Sequence, residues 1–358
     1  MITAELRRAI LAAAGHDDAD PLLRPGPVPG SYASSLPFRL AEPRSDPRAV
    51  AAQLAARLAA EPWIATAQVT GPGYLTVTVT HDALARLAVR IARAGPASAA
   101  SDALRGHTVT APADPDLAAE PDWPRARAAL AAHLTARLAA AAGATVFFSA
   151  ERSVVPLSRP QPAAPPGAER SVVPLSRPTA PPEPERPTPP ASRPPLAAAI
   201  AYAGPDAVRF ALARTPPGAA PPSAEVIARH LLTNPAYAVR YAHAAAAAVL
   251  RWAAALGTGP AGPQEFRPRL LLAPRELALL DALSWLPERV AMAARRGRPD
   301  EFAGYVEGLA ARTMDTMSTT GFTKVSSISS ERLWLAEAAR AGLAACLGLL
   351  GVSAPRRL

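Results

Sequence analysis

Residues 204–243 read GPDAVRFALARTPPGAAPPSAEVIARHLLTNPAYAVRYAH, and this stretch decides the fold. Gly204-Pro205 and Asn234-Pro235 both mark helix starts. Proline pre-sets the first-turn dihedral and lacks an amide that a helix start leaves unpaired anyway, while the asparagine side chain can accept from a first-turn amide. A short helix is expected over 206–214 and a long one over 234–256. Ser223 can cap a helix between them that carries Ile227 and Leu231. Tyr237 and Tyr241 lie four apart and therefore share one face of the long helix.

The chain stays helical on either side of this stretch. The spacing predicts helices over 196–202, 274–296, 299–316 and 330–350, the last ended by Gly351 and Pro355. Apolar stripes such as Leu277, Leu280, Leu283 and Leu333, Leu343, Leu347, Leu350 make residues 196–358 a helical bundle. The 358 residues are 49% apolar but only 5% aromatic. Alanine, leucine and valine must therefore fill the cores, and alanine favours helices because it loses no side-chain entropy there.

Residues 1–95 read as a small α/β domain. A helix over 4–14 is followed by a Pro/Gly-rich loop ending near Ser31-Tyr32. Asp46-Pro47 starts a helix over 48–60. Strands over 64–70 and 74–80 flank a Gly71-Pro72-Gly73 turn, and Asp82 can cap a closing helix through residue 94. Residues 96–150 follow a strand–loop–helix–strand order (107–111, 125–142, 145–148), the opening of a nucleotide-binding sheet. An Ala-rich spacer is the alternative reading. Residues 151–195 read as a linker: 15 of the 40 positions from Pro156 to Pro195 are proline, and ERSVVPLSRP occurs at both 151–160 and 169–178. Such a stretch suits polyproline II, not a sheet or helix.

Net charge is +9, carried by arginine; Lys324 is the only lysine. A basic chain favours polyanions, nucleic acid first, with thinly spread compositional bias as the bland alternative. Cys346 is the only cysteine. That count excludes an intramolecular disulfide and a multi-cysteine zinc site. The N-terminus lacks the layout of a signal peptide, and no uncharged apolar run approaches the roughly 18 residues of a membrane span. A cytoplasmic protein is expected.

Gly204-Pro205-Asp206-Ala207-Val208-Arg209-Phe210, Asn234-Pro235-Ala236-Tyr237-Ala238-Val239-Arg240-Tyr241-Ala242-His243 and the terminal 349–358 (LLGVSAPRRL) together resemble the anticodon-binding (DALR) domain of arginyl-tRNA synthetases. Asp102-Ala103-Leu104-Arg105 spells those four letters more faithfully, but nothing of the flanking pattern surrounds it. Gly71-Pro72-Gly73-Tyr74-Leu75-Thr76 resembles the hairpin of the family's N-terminal additional domain, which approaches the D-loop corner of tRNA. A plain hairpin turn with a core aromatic is an equal reading. The family's Asp-Tyr-x-x-Asn appears only as Ser31-Tyr32-Ala33-Ser34-Ser35.

The resemblance implies a fold that is mainly α, with a small α/β N-terminal domain and a C-terminal anticodon-binding bundle. It implies binding of tRNA or structured RNA through Asn234, Tyr237, Arg240, Tyr241, His243, Arg251, Arg357 and Leu358. Stacked bases need aromatic surfaces, and phosphates need guanidinium groups. Packing is the alternative role for Tyr237, Tyr241 and His243, and Arg209 is expected to tie helices together.

The family's His-x-Gly-His-Ala-Arg aligns with Asp122-Trp123-Pro124-Arg125-Ala126-Arg127, and its Lys-Met-Ser-Lys with lysine-free ERPTPPASRPP. Those replacements lead to the expectation of a vestigial nucleotide-binding unit, no cofactor, no metal and no enzyme. The alternative function is a protein-interaction or regulatory module whose Pro-rich linker docks a partner.

Overall fold

The computed structural model describes residues 1–16, 20–41, 46–149, 196–324 and 328–358. The Pro-rich stretch and both copies of its repeated block lie outside the described residues. The N-terminal part runs α1 (Ile2–Ala14), β1 (Leu23–Pro25), β2 (Ser31–Ser34), α2 (Leu36–Leu40), α3 (Pro47–Leu58), β3 (Ile64–Thr70), β4 (Tyr74–Val79) and α4 (His81–Ala94). Its strands form an antiparallel sheet in the order β1-β2-β4-β3.

The β3–β4 hairpin pairs Thr70 with Tyr74 and Val69 with Leu75. Leu75, Val77 and Val79 face inward, as their alternation dictates. Gly73 closes the turn at φ 136, and a Cβ there would lie 2.9 Å from that of Pro47. Tyr74 is not the core aromatic expected of that turn. It is 37% exposed and meets Phe38 edge-on at 4.9 Å.

Two local details depart from the sequence reading. The Pro/Gly-rich stretch ends at Ser31-Tyr32, where β2 begins, but Leu23–Pro25 within it forms a strand, and β2 pairs with both β1 and β4. Strands this short carry no alternation long enough to read. Thr80, not Asp82, caps α4, accepting from the Ala83 amide at 3.2 Å. Asp82 instead places its carboxylate in the first turn, where the helix dipole favours it.

After a 3-10 turn over Gly95–Ala99, β5 (Thr108–Pro112), α5 (Trp123–Ala141) and β6 (Thr145–Ser149) follow. The two strands pair in parallel, Thr108 opposite Thr145. A parallel pair requires a crossover, which α5 provides.

The C-terminal part contains α6 (Leu196–Ala203), α7 (Pro205–Arg214), α8 (Ala224–Ile227), α9 (Pro235–Ala255), α10 (Pro274–Ser284), α11 (Leu286–Arg296), α12 (Pro299–Met317), α13 (Thr320–Thr323) and α14 (Ser330–Leu349). α14 packs against α9, α12 and, across the chain, α4. Its buried face is Leu333, Leu335, Leu343, Cys346 and Leu347 among small alanines, and burial pushes the Cys346 thiol well above its ordinary pKa. No single helix among the described residues is long and apolar enough to cross a membrane.

The helix expected over 274–296 is broken into α10 and α11 at Trp285. Pro287 has no amide to offer one turn back, and its ring disfavours a continuous helix. The break is where the N-terminal part docks. Thr3 Oγ1 donates to the Ser284 carbonyl at 2.8 Å, Tyr32 Oη pairs with Ser284 Oγ at 2.7 Å, and the Gly30 amide donates to Asp281 at 2.9 Å. The Tyr32 and Trp285 rings are 5.2 Å apart. Arg7 donates to both Glu288 oxygens at 2.8 and 2.9 Å and to Asp20 at 2.9 Å, and Arg295 reaches Asp20 at 3.1 Å.

Candidate nucleic-acid interface

α9 is built as its first residues dictate. Asn234 Oδ1 accepts from the Ala236 amide at 3.2 Å, and Pro235 occupies the first turn. The asparagine amide does more: Nδ2 donates to the carbonyls of Ile227 at 2.8 Å and Arg229 at 2.6 Å. Those bonds hold the segment after α8 in a turn, so α8 stops at Ile227 and does not carry Leu231, which is exposed. Asn234 is itself buried. Its polar atoms are spent on the chain, and it acts on the face by placing its neighbours.

The neighbour it places is His230. The His230 ring stacks on Tyr237 with centroids 5.3 Å apart and planes 11° apart, and Tyr237 stacks on Tyr241 at 5.7 Å and 28°. Both tyrosines are half-buried, so the three-ring stack has one side against the bundle and one side open. Trp252, 37% exposed, follows Tyr241 by about three turns and so lies on the same side of the helix. Sequence reasoning found the tyrosines by their four-residue spacing. It missed His230, which reaches them only through the turn that Asn234 holds, and Trp252, whose periodicity was the available signal.

The remaining expected residues meet at the chain's last segment. Gly351 ends α14 at φ 69. Asp206 then accepts from the Ser353 amide at 3.1 Å and from its hydroxyl, and Arg209 Nε donates to the Leu350 carbonyl at 3.1 Å. Arg240 donates to Ser353 Oγ at 3.4 Å and lies 3.5 Å from Asp206. His243 Nδ1 donates to the Pro355 carbonyl at 2.8 Å, and Arg251 Nη1 to that of Arg356 at 2.5 Å. Arg240, His243 and Arg251 thus strap the tail along α9. Arg357 and Leu358 extend beyond the last strap and are exposed. Arg209 also reaches Asp114 at 2.6 Å, tying α7 to the loop after β5 as well as to the tail.

Two variants probe this strapping. Gly351→Ala forces an L side chain into the left-handed region and presses its Cβ onto the Arg209 guanidinium. A loss of roughly 1–2 kcal/mol in urea unfolding is expected. His243 gives a pH dependence. Burial lowers its pKa, and Nε2 has no partner, so the neutral ring fits the site and the protonated one does not. Its contribution is complete above the ordinary value of about 6.5 and is lost as pH falls below it. The fall in Tm between pH 7 and 5 should be smaller in His243→Gln than in wild type.

At 122–127, Asp122 caps α5 by accepting from the Arg125 amide at 2.8 Å, with Trp123 buried and Pro124 in the first turn. These residues are engaged in starting a helix.

Comparison with known proteins finds relatives for both ends of the chain. Residues 1–79 match the family model "Arginyl tRNA synthetase N terminal domain", and residues 239–358 match "DALR anticodon binding domain". The arginine–tRNA ligase of Clavibacter sepedonicus is 39% identical over 168 residues, 43% of this chain and 28% of that protein. Those of Kineococcus radiotolerans and Desulfitobacterium hafniense are 37% and 34% identical over 161 and 158 residues. The matched stretch spans under a third of the length of these relatives. The solved arginyl-tRNA synthetase of Thermus thermophilus shares the fold with a TM-score of 0.65 at 18% identity, covering 100% of both chains.

These names correct one expectation. Replacement of the ATP-handling signatures pointed to a chain that is not an enzyme. Relatives 34–39% identical over about 43% of the chain are named as arginine–tRNA ligases, which are enzymes. Loss of catalysis therefore does not follow from those replacements.

Proposed function

We propose that this chain, whose residues 1–79 and 239–358 match the N-terminal domain of arginyl-tRNA synthetases and the DALR anticodon-binding domain, binds tRNA on the open side of α9 and the strapped tail. The observation that carries the reading is the His230–Tyr237–Tyr241 stack, half-open and flanked by arginine. Unpaired loop bases gain most from an aromatic surface already stacked in their absence, because little order remains to be imposed on binding. Arg251, Arg356 and Arg357 supply charge for the backbone beside those bases. Arg240 serves mainly to hold the tail, since Asp206 lies against it.

The reaction for which the relatives are named sets the ligand class to try first, tRNA that accepts arginine. The cytoplasm is the setting this reading implies. The test is a filter-binding titration with bulk tRNA and individual transcripts between 50 and 200 mM salt. Micromolar or tighter binding that weakens with salt is the expected result. Absence of binding at 50 mM salt would refute the reading.

A further inference from the structure

One concavity beside α9 has no role in the stacking just described. Arg251 of α9, Arg340 of α14 and Arg356 of the tail line a cavity of about 210 Å³ together with Ala247, Leu250 and Glu337. Glu337 is the one carboxylate in that lining, and it is committed to Arg340 at 2.8 and 2.5 Å. Arg251 and Arg356 have no ion-pair partner among the described residues. Three guanidinium groups against one carboxylate leave two positive charges uncompensated where the tail crosses the bundle. Like charges repel, so a fold that gathers them favours an anion between them.

The shape narrows the anion. Pockets that hold whole small molecules run to about 300–1,000 Å³. This notch is smaller and suits a single phosphate group. Guanidinium forks match phosphate oxygens in pairs, where an ammonium would offer only a point charge. Arg251 lies ten residues beyond Tyr241 on the same helix, about 15 Å along its axis. A strand whose bases stack on the tyrosines can therefore bring its backbone to the notch.

We propose that the Arg251–Arg340–Arg356 notch binds a phosphodiester of the RNA backbone. The assignment rests on the tRNA reading above, and it makes the tail a part of the site. Arg356 does not merely follow the straps: its carbonyl is held by Arg251 so that its side chain enters the notch lining.

The test is the salt dependence of tRNA binding by Arg356→Gln and by the double variant Arg340→Gln/Arg356→Gln, in phosphate-free buffer with potassium chloride. Arg356 is exposed, so its replacement spares the fold, and an unchanged Tm verifies this. Loss of one phosphate contact is expected to reduce the log–log salt slope by about 0.7–0.9. Affinity at 100 mM salt should fall about 3- to 10-fold in the double variant. Tyr237→Ala, by contrast, should lower affinity with the slope unchanged. Wild-type tRNA binding with an unaltered slope in the double variant overturns the notch while leaving the tRNA reading intact. If inorganic phosphate raises the Tm of wild type but not of the double variant, again with an unaltered slope, the notch is a free-anion site and the proposal is wrong. If wild type binds no tRNA at 50 mM salt, both readings fall together.

Discussion

Arg7→Ala is expected to destabilise the protein by roughly 3–5 kcal/mol, measured by urea unfolding. Arg7 and Glu288 are only 6% and 4% exposed, and they join α1 to α11 through two hydrogen bonds. Removing the arginine takes both close hydrogen bonds from a buried carboxylate and leaves it only the longer contact to Arg295 at 3.8 Å, and that poorly compensated ion dominates the cost. Replacing both partners removes the ion as well as the bond. Arg7→Met with Glu288→Leu should therefore lose far less than Arg7→Ala alone, and equal losses would show that the pair is not the source. Acid has a related effect through Asp20. Burial opposes its ionisation, but Arg7 and Arg295 hold its pKa below the ordinary carboxylate range. That stabilisation is complete above about pH 4 and is lost as pH falls below it.

The double variant Tyr237→Ala/Tyr241→Ala is expected to abolish most specific tRNA affinity. Stacking contributes about 1–3 kcal/mol per base, so two lost platforms amount to about 30-fold at the least and on the order of 20,000-fold if both act fully. Phenylalanine at both positions keeps the rings and should keep most of the binding. His230→Ala should have a smaller effect, since it removes the end of the stack while leaving the tyrosine pair. Half-buried rings contribute to folding too, so Tm is read alongside Kd. A large fall in Tm with unaltered affinity for the folded fraction would move the tyrosines from recognition to packing.

Local chemistry made much of this molecule readable in advance. Asp46 and Asn234 each cap the helix that their Asp-Pro or Asn-Pro context announces. The β3–β4 hairpin was legible from its glycines and the Leu75, Val77, Val79 alternation. Tyr237 and Tyr241 share a face because helical spacing requires it. What stayed hidden depends on residues distant in the chain. Nothing near Arg7 announces Glu288, and nothing near His243 announces Pro355. The strands β1 and β2 carry too few residues for a readable pattern, and their strand character comes from the pairing of β1 with β2 and of β2 with β4. The break at Trp285 was legible in principle from Pro287, but the apolar stripe running across it read as one helix. His230 escaped notice because its position comes from the side-chain amide of Asn234, not from any periodicity.

The seam around Ser284 and Glu288 also bears on how the chain is made. Thr3 and Arg7 bond to partners 281 residues later. At a synthesis rate of about 5–20 residues per second, the first helix leaves the ribosome tens of seconds before α11 exists to receive it. Over that interval the small sheet can close, but Arg7 has no carboxylate from α11 beside it. Loop-closure entropy makes the contact slow to form even afterwards. A nascent chain stalled before α11 should expose the α1 face to chaperones, and ribosome profiling of chaperone engagement would show that protection ending once Glu288 has emerged.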